Sequence, residues 1–528
     1  AFLDSAAVIA SLDLVITSDT AMAHVAAALG RPVWLILKRV PEWRWGLAGS
    51  LSPWYPSMRI FRQHRDRDWS DPMRDVAREL ERLVRLFAGP GPELGESATA
   101  LFEKGVAAYG RGAPAEAVAH FTRAAPVRPG DARLLNYLAM AGMAASPGDP
   151  AALATARTLA AHSVALDGGD PDLLANLAVV AKRRGDLDDA AVALDRALML
   201  APGHRAAGLN RINVDLARGR TADAARRAEA MAARFPADAG GLATAAEALR
   251  AAGRFDAATE VGRRAVAARP NEARHRVALG RILSEAGDPE SAARAWEDAV
   301  AIAPDEADAL SNLGVHERNR GETGLALWFA RAAVAADPNH ADAWSNLGIA
   351  AGDRERVDEA RAAFARAIAL RPDHADARTA HGMTLLGLGD YAAGLDDYDW
   401  RLKSARLGLD ARPTKLAPWQ GGDPRGKRLL ILAEQGFGDA LQFVRYAAVL
   451  KAAGAASVHV GCRQRLKALL ATARGVDGVV SEGESLPTAD AIAQMMSLPF
   501  LTGTRVDTIP GDVPYLAAEP ERATRWAR

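Results

Sequence analysis

Six prolines, Pro202, Pro236, Pro270, Pro304, Pro338 and Pro372, stand 34 residues apart without a slip. A fixed period of about 34 residues means one supersecondary unit copied in tandem, long enough for a helix hairpin and too short to close a core of its own. Stacking of neighbours supplies the missing burial, so the middle of the chain reads as an α-solenoid. Such a surface selects partners more readily than it builds a reaction site, and chemistry is therefore sought in the non-repetitive ends.

The register holds at other places. With Ala307 as the first residue of a unit, Leu313–Gly314 fill the seventh and eighth places, and Leu279–Gly280, Leu347–Gly348 and His381–Gly382 repeat them. Small residues recur at the twentieth place (Ala190, Ala224, Ala258, Ala292, Ala326, Ala360) and mostly at the twenty-seventh (Ala197, Ala265, Ala299, Ala333, Ala367), where a second helix meets the first. Trp296 and Phe364 at the twenty-fourth place fill the space between units, each contributing about 2–3 kcal/mol when buried. An earlier unit fits at Gly105, Ala117, Phe121, Ala124 and Pro129. The 73 residues from Pro129 to Pro202 leave room for one expanded repeat, its five extra residues placed at the turn-rich Ser146–Pro150. About nine units span residues 98–408, the last decayed to Gly394 and Tyr398, as a boundary repeat should be. This pattern closely resembles the tetratricopeptide (TPR) family.

Asn176, Asn210, Asn312 and Asn346 all occupy the sixth place of their units, on the first helix, while Thr244, Ala278 and Ala380 break the series. Amide side chains both donate and accept, so a ladder of them suits a groove that holds an extended peptide by its backbone. The competing reading is that asparagine is simply common at this place.

Composition narrows the partners. The 528 residues are too many for one core. Lys+Arg and Asp+Glu both count 65, which leaves no global basic field for nucleic acid or an anionic membrane. The single cysteine, Cys462, has no internal disulfide partner, and the chain has neither an apolar run near 18 residues nor a leader-like start, so it reads as soluble and cytoplasmic. It begins at Ala1 inside a helix-like stretch, which leaves room for a lost upstream segment.

After Pro418–Trp419 and the Gly-Gly-Asp-Pro run at 421–424 the periodicity changes. Arg428–Ala433 reads as a buried strand, Gly436–Gly438 as a glycine turn, Asp439–Ala453 as an amphipathic helix and Ser457–Val460 as a further strand, the start of a Rossmann-like domain. The string Glu434-Gln435-Gly436-Phe437-Gly438-Asp439, followed by Gln442-Phe443 and Arg445-Tyr446 and later by Ser497-Leu498-Pro499 and Pro514-Tyr515-Leu516, resembles the acceptor-side half of bacterial GT-B glycosyltransferases related to the heptosyltransferases. The resemblance covers residues 417–528. It implies that Asp439 is the general base for an acceptor hydroxyl, an effect of about 10²–10⁴-fold, and that Glu434, Gln435, Gly436, Gly438 and Gln442 line the substrate. An aspartate at a helix start also serves as an N-cap, and that reading stands beside the first.

At the other end, Leu12–Thr17 reads as a strand, Ser18-Asp19-Thr20 as a capping turn, Ala21–Leu29 as a helix closed by Gly30, and Pro32–Leu37 as the next strand. Met58–Arg62 and Asp71–Phe87 follow as a strand and a helix. Asp19, Thr20, His24, Gly30 and Pro32 resemble the donor-side half of the same transferases, with an Asp-Thr-x-x-x-His run ahead of an alanine-rich helix. The resemblance assigns Asp19, Thr20 and His24 to a nucleotide-diphosphate sugar. Lys38, Trp43, Arg44 and Trp45 cluster on a loop where Lys38 and Arg44 suit phosphate and an indole suits a base. The alternatives are a packed histidine and a loop anchored by tryptophans.

The fold expected is thus mostly α, a TPR solenoid at 98–408 flanked by partial α/β Rossmann-like (GT-B) segments, donor-side at 1–88 and acceptor-side at 417–528. In the resembled family the acceptor half precedes the donor half, so the order here points to a cut from a tandem transferase–repeats–transferase protein, ahead of a circular permutation or a naturally split scaffold. Two functions follow. One is a glycosyltransferase by lineage, incomplete for catalysis as this chain stands, that takes sugar from a nucleotide-diphosphate donor and a protein or peptide acceptor from the repeat groove, with no cofactor and no metal, since no paired carboxylate motif is found. The other is a non-catalytic TPR scaffold with transferase remnants.

Overall fold

Parallel strands buried on both faces need continuous apolar runs, and Val33–Leu37 and Leu429–Leu432 are such runs at the two ends of the chain. The computed structural model describes residues 2–39, 41, 45, 49–52, 54–55, 57–65, 68–92, 96–404, 416–434, 436–481 and 483–518, the side chains of Phe2 and Leu3 aside. The chain divides into two compact units, Ala1–Ala292 and Ala293–Arg528.

The first unit opens with α1 (Phe2–Ala10), β1 (Val15–Ser18), α2 (Ala21–Ala28), β2 (Val33–Leu37), β3 (Met58–Arg62) and α3 (Ser70–Phe87). The three strands form a parallel sheet in the order β1-β2-β3, with Thr17 opposite Leu35 and Leu35 opposite Ile60. One face packs on α2 through Ala23, Val33, Leu35 and Ile60. The other presents Trp34 and Phe61 to α3, and these belong to the same core as the first repeats.

The hairpins of this unit are α4 (Ala98–Gly110) with α5 (Pro114–Ala124), α6 (Ala132–Ala145) with α7 (Pro150–Leu166), α8 (Pro171–Arg184) with α9 (Leu187–Leu200), α10 (Arg205–Ala217) with α11 (Thr221–Arg234), and α12 (Ala239–Ala251) with α13 (Phe255–Ala268). Then α14 (Ala273–Glu285) is followed by α15 (Pro289–Ile302), which crosses the division between units. The second unit continues with α16 (Ala307–Asn319) and α17 (Thr323–Ala336), α18 (Ala341–Gly352) and α19 (Val357–Leu370), and α20 (Ala375–Gly387) and α21 (Tyr391–Asp399). A 3₁₀ turn, Trp400–Lys403, ends the series. Beyond it lie β4 (Ala417–Pro418), β5 (Arg428–Leu432), α22 (Phe437–Phe443), α23 (Tyr446–Ala452), β6 (Ser457–Cys462), α24 (Gln464–Leu470), β7 (Gly478–Ser481), β8 (Ala491–Gln494) and α25 (Leu498–Leu501). These strands form a parallel sheet in the order β4-β8-β5-β6-β7. Among the described residues no helix is long and apolar enough to cross a membrane.

Packing explains the small eighth place. A Cβ on Gly105 would come within 2.4 Å of the Phe121 ring, and one on Gly348 within 2.5 Å of Phe364, so hydrogen there admits the twenty-fourth-place aromatic of the same unit. The turn inside the hairpin carries a second series with the period of the prolines: Gly185, Gly219, Gly253, Gly287, Gly321 and Gly389 all sit at positive φ. At the equivalent place of the α18–α19 hairpin stands Glu355, the one non-glycine residue at positive φ among those described (φ 59°).

The expanded repeat departs from expectation. Ser146–Pro150 holds only part of the extra length, because α7 runs 17 residues where α9 and α11 run 14. Its residues Ala156–Ala165 are buried without interruption, as a helix covered on opposite sides requires. The covering element is α3: Glu79 accepts from Arg59 Nη1 of β3 at 3.2 Å and from the Thr158 hydroxyl of α7, while Phe87 lies 6.2 Å from the His162 ring.

Two outcomes follow. Replacing Glu355 by glycine relieves a left-handed backbone that costs an L-residue about 1 kcal/mol, so urea unfolding of Glu355→Gly should show a gain of that order. Burial lowers His162 from 6.5 to about 4. Between those values the unfolded chain takes up a proton that the folded chain refuses, so stability falls as pH drops from 6.5 toward 4, by up to about 1.4 kcal/mol per pH unit. Denaturation midpoints of His162→Gln should lose this component, and identical pH profiles for the two proteins would contradict it.

Candidate functional site

Parallel strands deliver their C-terminal ends to one edge of a sheet, and in open α/β sheets that edge is where ligands sit. In the first unit β1 ends at Ser18, so the exposed Asp19 and Thr20 follow directly, with exposed Lys38 at the end of the neighbouring β2. Thr20 is the N-cap of α2, but its side chain caps nothing; its hydroxyl lies 3.3 Å from that of Thr17. His24, one turn on, is half-buried: Nδ1 lies 3.0 Å from the Tyr55 hydroxyl and the ring stacks on Trp45 at 5.4 Å. Its present contacts are thus with the loop rather than with the open edge. Tyr55 had no distinguishing sequence signal. Arg44 and Trp43 lie outside the described residues.

At the other end, the structure brings together strings that lie far apart in sequence. Glu434 follows β5, but its side chain is buried and engaged on both oxygens. It accepts from Arg401 Nη2 at 2.6 Å and from the backbone of Met495 at 2.9 Å and Met496 at 3.3 Å. Arg401, fully buried, also donates to Asp399 at 2.8 Å and to the Ser497 hydroxyl at 2.9 Å. Glu434, expected at the substrate, ties the turn after β5 to the end of β8 and to the 3₁₀ turn after the last hairpin.

The expected single helix Asp439–Ala453 is two helices. It starts earlier, at Phe437, and breaks at Val444–Arg445, where Arg445 donates to Gln442 O (2.8 Å), Pro510 O (3.0 Å) and the Tyr515 hydroxyl (2.8 Å). Gly436 is the N-cap of α22, and Asp439, two residues inside the helix, is not: its Oδ2 accepts from Gly436 N at 3.0 Å. Asp439 is half-buried, and Gly436, Gly438 and Gln442 are exposed beside it. Gln435 lies outside the described residues. A carboxylate so placed keeps its second oxygen for a further proton or hydrogen bond. Among the described residues no three His, Cys, Asp or Glu side chains are grouped to hold a metal ion.

Of the sixth-place asparagines, Asn346 donates to Ser311 Oγ of the preceding unit at 2.9 Å. Asn176, Asn210 and Asn312 are half-buried and make no side-chain hydrogen bond to described residues. Asn210 lines a cavity of about 190 Å³ with Val179, Lys182, Arg183 and Val214.

Comparison with known proteins fits this division. Tetratricopeptide repeat families match residues 74–142, 209–273, 277–341 and 341–374, and glycosyltransferase family 9 (heptosyltransferase) matches residues 2–73. Among solved structures, MamA is 23% identical, covering 30% of this chain and 92% of that one at a TM-score of 0.27. YrrB, described as a TPR protein with an unusual peptide-binding site, is 21% identical over 40% of this chain and 91% of that one, with a TM-score of 0.23. A tetratricopeptide repeat protein from Parabacteroides merdae ATCC 43184 is 15% identical over 55% and 100%, with a TM-score of 0.37. No curated protein matches the chain.

Removing one partner from a buried, hydrogen-bonded ion pair leaves the other charge uncompensated, at a cost of about 3–5 kcal/mol. Glu434→Ala should lose stability of that order in chemical denaturation. A loss under about 1 kcal/mol, the range of exposed pairs, would show that the tether is not closed.

Proposed function

We propose that this chain, which carries tetratricopeptide repeats and an N-terminal segment of the heptosyltransferase type, is a repeat-linked glycosyltransferase. The observation that carries the reading is the exposed Asp19–Thr20 turn at the C-terminal edge of a parallel sheet, inside the segment that matches the transferase family. Free N–H groups at the start of α2 and the Thr20 hydroxyl suit a diphosphate, and His24, held by Tyr55 and Trp45, orients the helix. Lys38 adds a cation at the same edge. The acceptor-side segment belongs to a transferase site other than that of the Asp19–Thr20 edge, and there Asp439 takes the proton of the acceptor hydroxyl as its oxygen bonds to the sugar carbon and the nucleoside diphosphate leaves. Gly436, Gly438 and Gln442 border the acceptor, and the repeats hold the protein or peptide that bears it, with the sixth-place asparagines as candidate backbone contacts.

A second reading, a protein-binding scaffold with transferase-derived ends, draws on the internal bonds of Glu434, His24 and Asp439. Binding of nucleotide-diphosphate sugars separates the two. Within a complete transferase, Asp439→Asn keeps the oxygen that faces Gly436 and removes the base, so turnover there should fall by about 10²-fold with stability nearly unchanged. Equal turnover rejects Asp439 as base, and a chain that captures peptide but binds no nucleotide-diphosphate sugar is the scaffold.

A further inference from the structure

The first unit holds a cavity of about 710 Å³ that neither Asp19, Thr20 nor His24 lines. It opens between β3 and α3 on one side and α7 and the start of α9 on the other, where the α/β segment meets the repeats. Seven arginines line it against five carboxylates. The carboxylates are shared rather than matched. Glu79 faces both Arg59 and Arg82, each at 3.2 Å, and Asp186 faces both Arg157 at 3.5 Å and Arg184 at 3.2 Å. Asp189 takes Arg157 at 3.0 Å but also the amide and hydroxyl of Ser50, at 2.8 and 2.6 Å. Asp188 is drawn to Arg218, which is not on the wall.

At the rim, Arg78 comes no closer than 3.8 Å to Asp75, and exposed Arg39 has no ion pair among the described residues. Inside, Arg59 is 7% exposed, yet its Nε has no hydrogen-bond partner. Burial first, and then the nearby Arg157 charge, lower the Arg59 guanidinium to about 10. An unsatisfied buried guanidinium donor among crowded cations is costly unless an anion joins them.

The volume falls within the range of small-molecule sites, about 300–1,000 Å³, and exceeds what a single orthophosphate fills. Planar guanidinium forks match phosphate oxygens in pairs, which ammonium groups do not. We propose that this cavity binds a small molecule carrying two or more linked phosphate groups, gripped by Arg59 and Arg82 from the α/β segment and by Arg157 and Arg184 from the repeats, and met at the rim by Arg39 and Arg78. Occupancy clamps the junction, because the ligand bonds to both sides at once.

Inorganic pyrophosphate is the probe, titrated calorimetrically into the 528-residue chain and followed in parallel by its effect on the melting temperature. The same titration in Thr20→Val silences the diphosphate edge proposed above, so the two readings fail separately. Binding and a raised melting temperature should persist in Thr20→Val. Adding Arg39→Gln and Arg78→Gln, both at the exposed rim, should weaken binding by about tenfold or more. Arg366→Gln, an exposed arginine of α19 in the other unit, should change nothing. The proposal is overturned if the unmodified chain neither binds pyrophosphate nor melts higher with it, if Thr20→Val alone removes all binding, or if the rim pair binds as tightly as its parent.

Discussion

Everything in the repeat region rests on how closely two helices of a hairpin approach. Gly348 presents only hydrogen to α19, and the Phe364 ring occupies the space a Cβ would take; Gly105 and Phe121 make the same contact in the first hairpin. A ring so placed is buried by its own hairpin on one side and by the next hairpin on the other, so the contact that sets the separation within a unit also sets the stacking between units. The 34-residue period is the sequence trace of this geometry. A residue more or less in the turn would rotate the second helix and carry its alanines off the seam, and that explains why the positive-φ turn residue, glycine in all of this series but Glu355, keeps the 34-residue spacing.

The joints between hairpins are mostly apolar, although buried Arg211 of α10 pairs with Asp195 of α9 and with buried Asp215, and the joints to the two α/β segments also carry buried charge. Arg59 and Glu79 join β3 to α3, with Thr158 reaching in from α7, and Arg401 joins Asp399 to Glu434 and Ser497. Such pairs gain little net stability over well-packed apolar groups, because desolvation offsets most of the attraction. They do fix an angle: an apolar face tolerates a slide of a few tenths of an ångström, but a guanidinium bonded to three acceptors does not. The hypothesis that such networks set orientation rather than stability covers the two places where the repeat period ends and the buried Arg211–Asp215 pair within it. The exposed pairs along the solenoid, such as Arg205 with Asp238, carry no comparable weight.

The solenoid was legible because its signal is local and repeated: each unit restates the same spacing, so single substitutions do not hide it. The buried strands were legible to within a few residues, since Val33–Leu37 and Leu429–Leu432 are apolar runs bounded by turn residues. What escaped depends on distant partners. The helix break at Arg445 is made with Pro510 and Tyr515, 65 and 70 residues later in the chain. Glu434 reads as a substrate-lining carboxylate, and its bond to Arg401, from another element, has no trace in the local sequence. The length of α7 reflects the α3 face it must cover, which no property of its own alanine-rich sequence announces. The turn glycines carry the same period as the prolines, so this second series is as local and as legible as the first.

The networks bear on the proposed chemistry through geometry. Glu434 stands two residues before Gly436 and five before Asp439, so fixing Glu434 to Arg401 fixes the root of that turn to the element that follows the last hairpin. The turn itself remains open, with Gly436, Gly438 and Gln442 exposed. A flexible tether between a binding array and a reactive turn raises the local concentration of a bound partner only to the millimolar range. A rigid one presents it at one distance and one angle, and effective molarities for such oriented pairs run far higher, to about 10⁵ M and beyond. If the repeats beside this turn hold an acceptor, the buried Arg401 network is what converts recruitment into alignment, and its burial is the physical reason that the conversion survives thermal motion at the surface.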